Sequence, residues 1–200
     1  LDTACAMTRS VRDAVLVHEV LSARSVAPRA KPLPQCRFAV VRELFQEALE
    51  PGVASAFEKA LRIASDGGAR VEEISLPPLA DLPAINATGG FSAAESYAWH
   101  RQLLERSFAG YDPRVAQRIL KGAEMRAFEY IDLMQARLTW IGRMEAALRD
   151  FDAVLSPTVP VTAPPVADVA PGAERDDAFF RLHGLLLRNP SVVNMLDGCA

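Results

Sequence analysis

The chain has 200 residues, of which 50% are hydrophobic and 24% are charged, a composition that suits a globular domain with a buried core. Its formal net charge of −3 offers no basic surface to nucleic acid or to an anionic membrane. No apolar run approaches the roughly 18 residues that a membrane-spanning helix needs. We therefore expect no nucleic acid and no membrane as partners.

The cysteines and histidines are scattered along the chain. Cys5, Cys36 and Cys199 are odd in number and widely spaced, which favours reduced thiols and a cytoplasmic location over a disulfide framework. The N-terminal residues lack the basic, apolar and small-residue order of a signal peptide. His18 has no cysteine or histidine partner at helical spacing, and no close cysteine pair occurs, so we expect no metal site.

The first predicted element is an amphipathic helix over residues 8–23, in which apolar side chains recur every three or four positions. Thr8 is a residue type that favours an N-cap, so we expect the helix to start there. A loop follows, because Pro28, Pro32 and Pro34 interrupt the chain before the next apolar run.

The segment after this loop predicts a strand–helix–strand unit. The apolar run at residues 37–41 is typical of a buried strand, and residues 70–76 predict the next strand, with Glu72 and Glu73 as edge charges. Pro51 is expected at the first position of the intervening helix, and Gly67 with Gly68 at its C-terminal end. Short links between these elements favour a right-handed crossover between parallel strands.

A long helical region follows the second strand. Residues 81–126 have mostly helical spacing, interrupted at Gly89–Gly90 and at residues 110–113. Residues 126–149 predict the longest helix, with Trp140 between this helix and the sheet. Its apolar stripe has near-heptad spacing and consists of Phe128, Ile131, Met134, Leu138, Ile141 and Leu148. We interpret the stripe as core packing and leave open a contact with a second copy of the chain.

A short buried strand is predicted over residues 152–155. It ends before Pro157, because proline cannot donate to a sheet ladder. Ligands of open α/β sheets bind at the carboxyl ends of the strands. Ser156, Pro157 and Thr158 therefore lie where a pocket is expected, although a strand followed by a stiff surface loop would have the same pattern.

The C-terminal region begins with a long loop over residues 160–177, a length that is typical of functional or disordered loops. Residues 178–188 then predict a short amphipathic helix, which Asn189–Pro190 is expected to break. The apolar residues that follow end at positions 197–200, where a turn is expected to lead into another strand.

The residues show no complete catalytic constellation. Gly89–Gly90 is too short for a phosphate-binding loop, and no Gly-x-Ser-x-Gly turn is present. Amide or ester chemistry with serine and lysine needs a serine activated by a neighbouring base and backbone N–H groups for the oxyanion. Lys31, Lys59 and Lys121 lie in a loop and on charged helix faces, and no serine lies in a glycine-rich turn.

Five segments resemble, in the same order, motifs of the amidase signature family. Residues 1–14 resemble its LD..G.M.R.V.DA motif, residues 68–77 its GA.V.E..LP motif, and residues 118–122 its RI..G motif. Residues 151–158 resemble FD.LL.PT.P..AP, and residues 188–200 resemble the segment that precedes the last sheet strands of the family. The resemblance covers nearly the whole chain.

The resemblance implies an α/β fold in which a mixed sheet is flanked by helices. It implies a hydrolase of small-molecule amides that uses a Ser–cis-Ser–Lys triad and an acyl-serine intermediate, with no metal and no organic cofactor. In this family the nucleophile segment and the lysine precede the region that this chain resembles, and no lysine of this chain matches the family lysine. We therefore expect residues 1–200 to be the C-terminal half of a single domain, to lack the catalytic residues and to form one side of the substrate cleft.

The resemblance also assigns residues to that cleft. Arg118 matches the arginine of RI..G, which reaches the substrate in some relatives, notably the tRNA-dependent amidotransferases, and a guanidinium suits a carboxylate or a polarised carbonyl. Pro157 and Thr158 match the motif that rims the site. The acid that some relatives carry before Asn189 is absent, since residues 184–187 read Gly-Leu-Leu-Leu.

Two other functions remain open from the sequence. A non-catalytic α/β interaction module would bind its partner through the helix at residues 126–149. A component of a tRNA-dependent amidotransferase would work with partner chains, and their co-purification would favour it. A Gly- and Ser-rich segment with an earlier lysine upstream of Leu1 would favour the hydrolase over the module.

Overall fold

Three parallel strands surrounded by helices make up the computed structural model, which describes residues 6–198. The strands are β1 (Arg37–Val41), β2 (Arg70–Ile74) and β3 (Ala153–Leu155), in the spatial order β2-β1-β3. Along β1, Arg37 lies opposite Arg70 of β2, and Phe38 lies opposite Ala153 of β3. The predicted α/β class is confirmed. Every strand pair of the described region is parallel, and the mixed character of the sheet stays a prediction.

The helices of the described region differ widely in length. They are α1 (Val11–Ser22), α2 (Pro51–Asp66), α3 (Leu82–Ile85), α4 (Gly90–Ser107), α5 (Pro113–Leu120), α6 (Ala127–Leu148), α7 (Val166–Val169) and α8 (Asp176–Leu196). Short 3₁₀ turns cover Leu33–Gln35, Pro77–Asp81, Phe108–Gly110, Lys121–Glu124 and Ala173–Arg175. Among the helices between residues 6 and 198, none has both the length and the hydrophobicity that crossing a bilayer requires.

The start of α1 differs from the prediction. Ser10, not Thr8, is the N-cap: its backbone is extended, and its side chain accepts a hydrogen bond from the N–H of Asp13 at 3.1 Å. Thr8 instead donates to the carbonyl of Ser10 at 2.9 Å. Both residues have the right chemistry, and only the backbone conformation decides which one caps. No residue of α1 is buried.

The predicted strand–helix–strand unit is confirmed. Pro51 is the first residue of α2, and the N–H of Gly67 donates to the carbonyl of Ile63 at the end of the helix. Gly68 has a φ of +93°, a conformation that favours glycine and turns the chain directly into β2. β2 ends at Ile74, two residues before the predicted end.

The main core lies between β1, the turn after β2, α6 and the end of α8. Its buried side chains are Val41, Phe45, Leu76, Leu79, Phe91, Leu133, Trp140, Met144, Val192 and Met195. Trp140 is 1% exposed, and its indole N–H donates to the carbonyl of Pro78 at 2.7 Å. The core therefore anchors α6 to the segment that leaves β2.

Only part of the predicted apolar stripe of α6 packs, since Ile141 and Leu148 lie partly buried against the core. Phe128 is 53% exposed, Ile131 47% and Leu138 68%, so the interpretation of these residues as core is wrong. Leu133 and Met144, together with Trp140, are buried instead. Both faces of α6 carry apolar residues. The helix is oriented so that the face with the largest side chain, the indole of Trp140, is buried.

The end of α8 also differs from the prediction, because the helix continues through Pro190 to Leu196. A proline inside a helix costs about 3 kcal/mol. That cost is offset by burial of Val192 and Met195, which follow the proline and join the core. The preceding segment, residues 160–177, is not entirely loop, since α7 and a 3₁₀ turn lie within it.

Candidate substrate cavity

A cavity of about 460 Å³ opens between α4, α5, α8 and the loop that follows β1. Its lining residues are Leu44, Leu79, Leu82, Pro83, Asn86, Gly89, Gly90, Phe91, Ser92, Arg118, Arg188, Ser191, Val192, Asn194 and Met195. One wall is therefore apolar, and hydroxyl, amide and guanidinium groups supply the rest. This size and this mixture of groups are usual for a small-molecule site.

Arg118, the main site residue predicted from the sequence, lines this cavity. Its guanidinium Nη1 lies 2.9 Å from Nδ1 of His183 on α8. Burial and then the positive charge of Arg118 lower the pKa of His183, so the imidazole is neutral near neutral pH and can accept this hydrogen bond. His183 thus holds the guanidinium at the cavity without neutralising its charge.

An anchor at the start of α5 fixes the helix that carries Arg118. Asp112 is the N-cap, and its carboxylate accepts from the N–H of Arg114 at 2.9 Å. The Arg114 side chain is 7% exposed, donates to Asp112 at 2.7 Å, and stacks over the ring of Phe179 on α8 at 3.9 Å. Hydrogen bonds from Arg114 lower the pKa of Asp112 to about 2. The two helices are thereby joined next to the cavity.

Gly122 fixes the other end of α5. A Cβ atom at this position would lie 2.0 Å from the carbonyl oxygen of Ala93 on α4 and 2.7 Å from the Cβ of Tyr97. Only glycine permits this approach. The close packing of Gly122 on α4 therefore fixes the position of Arg118, four residues earlier in the RI..G segment, relative to α4.

Arg188 and Asn189 tie α8 to the two segments that leave the sheet at its carboxyl edge. The amide nitrogen of Asn189, which is 2% exposed, donates to the carbonyls of Phe45 at 3.0 Å and Pro157 at 2.7 Å. Arg188 donates to the carbonyl of Glu47 at 2.7 Å and to the side chain of Asn189 at 3.1 Å. Burial lowers the pKa of Arg188.

The structure separates the three residues that the resemblance assigns to the cleft. Arg118 lies on the cavity wall, whereas the lining residues include neither Pro157 nor Thr158. Pro157 is buried and contributes its carbonyl to Asn189, and Thr158 is exposed at the end of β3. Sequence reasoning missed Arg188, the last residue of the helix predicted over residues 178–188, because no local pattern indicates that it shares a cavity with Arg118.

No group of three or more His, Cys, Asp or Glu side chains in residues 6–198 is arranged to hold a metal ion. Lys31, one of the lysines considered for catalysis, pairs with Asp152 at 2.5 Å beside the start of β3. This lysine therefore connects the loop before β1 to the sheet.

The family model for amidases matches residues 1–195. The chain belongs to the amidase family. The family resemblance of the five sequence segments is thereby confirmed, and the amidase model extends across α1 and through most of α8.

Individual relatives agree with this family assignment. The 2-amino-5-chloromuconic acid deaminase of Comamonas testosteroni is 29% identical over 204 residues, which cover 100% of this chain and 43% of that protein. The A subunit of glutamyl-tRNA(Gln) amidotransferase from Thermotoga maritima is 23% identical over 203 residues, covering 84% of this chain and 43% of that protein. The chain thus spans less than half the length of these relatives.

Solved amidase structures share the fold. A crystal structure described as an amidase matches with a TM-score of 0.72 and 26% identity, covering 94% of this chain and 42% of that one. An allophanate hydrolase of Kluyveromyces lactis matches with a TM-score of 0.67 and 21% identity, covering 82% of this chain and 26% of that one. The second likeness concerns the fold alone.

Proposed function

We propose that this chain forms one side of the substrate cleft of an amide hydrolase. The match to the amidase family over residues 1–195 carries the proposal, and the cavity beside Arg118 supports it. In this proposal the chain is the C-terminal half of a single amidase domain, in line with its coverage of less than half of the relatives. The catalytic serine, the second serine and the lysine belong to the remainder of that domain.

In the proposed reaction the nucleophilic serine adds to the amide carbonyl, and the C–N bond then breaks to give an acyl-serine and free amine or ammonia. The second serine passes the proton of the nucleophile to the lysine, and the lysine returns it through the same serine to the leaving nitrogen. Water then cleaves the acyl-serine and releases a carboxylic acid. Neither step needs a metal or an organic cofactor. The role of this chain is to bind the substrate and to orient its carbonyl.

Arg118 binds a carboxylate of the substrate in this proposal. A guanidinium forms paired hydrogen bonds with a carboxylate, and His183 leaves the charge of Arg118 uncompensated. The Comamonas relative is named for an acid, which supports an acidic substrate. Pro157 acts indirectly, through the carbonyl that holds Asn189, and Thr158 lies at the rim of the cleft.

The hydrolase is tested on the full-length protein by ammonia release from adipic acid monoamide and from neutral adipamide. We expect faster release from the monoamide. Arg118→Met should raise the KM for the monoamide about tenfold and leave adipamide unaffected. Arg101→Met on the exposed face of α4 is the matched control and should change neither. No ammonia from any amide would contradict the hydrolase, and equal effects on both amides would contradict the role of Arg118.

A second candidate is a component of a tRNA-dependent amidotransferase, acting in the cytoplasm. The relatives named as the A subunit of glutamyl-tRNA(Gln) amidotransferase favour it. Its test is purification of the tagged full-length protein from its native source. Recovery of further chains in stoichiometric amounts, in a complex that has glutaminase activity, supports this function. Recovery of the protein alone contradicts it.

The third proposal is that two copies of the chain form a homodimer through α6. The same face of α6 would bind the partner if the chain were a non-catalytic interaction module. An antiparallel contact between two copies of α6 about a two-fold axis would set the exposed Ile131 against the exposed Leu138 of the second copy. Light scattering of the wild type and of Leu138→Glu is the test. A dimer that becomes a monomer in the variant supports this contact, and a monomeric wild type contradicts it.

A further inference from the structure

We propose that the cavity binds a substrate with two carboxylate groups, one at Arg118 and the other at Arg188. The inference rests on the proposed function, since it names the substrate class of the same site. Both guanidinium groups line the cavity, and no aspartate or glutamate is among its lining residues. The cavity therefore carries two positive charges and no negative charge on its own wall.

Neither guanidinium forms an ion pair within residues 6–198. Arg114, Arg137 and Arg143 each lie within 4.0 Å of a carboxylate oxygen, but within residues 6–198 Arg118 and Arg188 do not. Glu47 is the acid that interacts with Arg188 through space, and its carboxylate accepts the N–H of Leu44 instead. Arg188 is half-buried, so its charge is costly without a partner, and an anionic ligand would offset that cost. Arg118 is exposed, which leaves its guanidinium accessible to a ligand.

Arg188 has hydrogen-bond donors to spare. Its guanidinium carries five N–H groups. One donates from Nε to Asn189, one from Nη1 to the carbonyl of Glu47, and one from Nη2 to the carbonyl of Phe45 at 3.4 Å. One N–H therefore remains on each terminal nitrogen. Two remaining N–H groups on two nitrogens are enough to bind both oxygens of a carboxylate.

The two arginines reach the same cavity from different helices, Arg118 from α5 and Arg188 from α8. Arg118 is held at His183, and Arg188 lies five residues further along α8, a rise of about 7.5 Å. Leu79 and Val192 contribute to the apolar wall of the same cavity. The chemistry that fits is a hydrocarbon chain with a carboxylate at each arginine and the scissile amide attached to it.

Binding to the full-length protein tests this inference without turnover. Calorimetry compares three six-carbon probes that contain no amide: adipate with two carboxylates, 6-hydroxyhexanoate with one, and hexane-1,6-diol with none. We expect adipate to bind at least about tenfold more tightly than 6-hydroxyhexanoate, because the second charged pair adds affinity. The diol should bind most weakly.

Variants then assign the second carboxylate. Arg188→Met should weaken adipate about tenfold and change 6-hydroxyhexanoate about twofold or less, since Arg118 still binds one carboxylate. Arg188→Gln removes the charge but keeps side-chain donors for the carbonyls of the loop after β1, so it decides the question if the methionine variant unfolds. Arg101→Met, away from the cavity, should leave all three probes unchanged.

Equal affinity of adipate and 6-hydroxyhexanoate for the wild type would overturn the inference, as would no binding of adipate. Unchanged adipate affinity in a folded Arg188→Gln protein would also overturn it. The proposed hydrolase fails separately. A protein that binds adipate through both arginines but releases no ammonia from any amide would overturn the hydrolase and support the dianionic site. A protein that hydrolyses amides but binds adipate no more tightly than 6-hydroxyhexanoate would support the hydrolase and overturn the dianionic site.

Discussion

Replacing Gly122 with alanine should destabilise the protein strongly. The new Cβ would lie 2.0 Å from the carbonyl oxygen of Ala93 and 2.5 Å from its carbonyl carbon, both main-chain atoms of α4. Ordinary van der Waals contact begins at 3.4 Å, so α4 and the end of α5 must separate by more than an ångström. Overpacking of a rigid interior costs up to about 3 kcal/mol, and a clash with main chain belongs at that upper end.

Gly142→Ala is the matched control, because a Cβ at Gly142 meets nothing within 4 Å and the residue lies inside α6. Alanine there should raise the free energy of unfolding by about 0.5 to 1 kcal/mol. Denaturant unfolding of the three proteins measures both changes. Gly122→Ala should also weaken adipate binding, since it displaces Arg118. Equal stability of the two variants would refute the packing argument.

Three further predictions follow from buried or paired groups. Trp140→Phe leaves a buried carbonyl without its donor and should lower the free energy of unfolding by about 2 kcal/mol, whereas Trp99→Phe, at an 83% exposed position, should change it by less than about 0.5 kcal/mol in the same denaturant assay. Asn189→Asp sets carboxylate oxygens against two carbonyls and should cost about 3 kcal/mol, more than Asn189→Ala; a melting temperature equal to wild type would contradict this. Because the pKa of Asp112 is lowered from 3.8 to about 2 by Arg114, the stability that it contributes is fully present above pH 3.8 and is lost as the pH falls toward 2. Unfolding midpoints measured across this range should fall less steeply in Asp112→Asn than in wild type.

The elements that the sequence predicts well are those whose signals are local. Pro51 and Gly68 require particular backbone conformations, so the start of α2 and the turn into β2 could be placed from residue type alone. The apolar run of β1 indicates a strand with buried side chains on both faces, which the structure has at Ala39, Val40 and Val41. Arg118 was found through a motif, and Gly122 of the same motif proves to be a packing requirement.

The elements that the sequence misplaces depend on tertiary contacts. The side of α6 that packs is decided by competition between two apolar faces, and the face with Trp140 wins because it also satisfies the indole N–H. The continuation of α8 through Pro190 depends on what Val192 and Met195 bury. Arg188 lies within the predicted helix, but only the packing of α8 beside α5 brings it to the same cavity as Arg118.

The order of the strands has a consequence for folding. β1 and β2 are linked through α2 alone, whereas the strand that pairs with the other side of β1 arrives 115 positions later, where Asp152 accepts the N–H of Arg37. Contacts between such distant segments form slowly, because the entropy of loop closure is lost before the contact forms. Until β3 docks, one side of β1 presents unpaired main-chain groups to which another chain can add. Refolding from denaturant should therefore give lower yields as the protein concentration rises, and the loss should occur in the interval before β3 pairs.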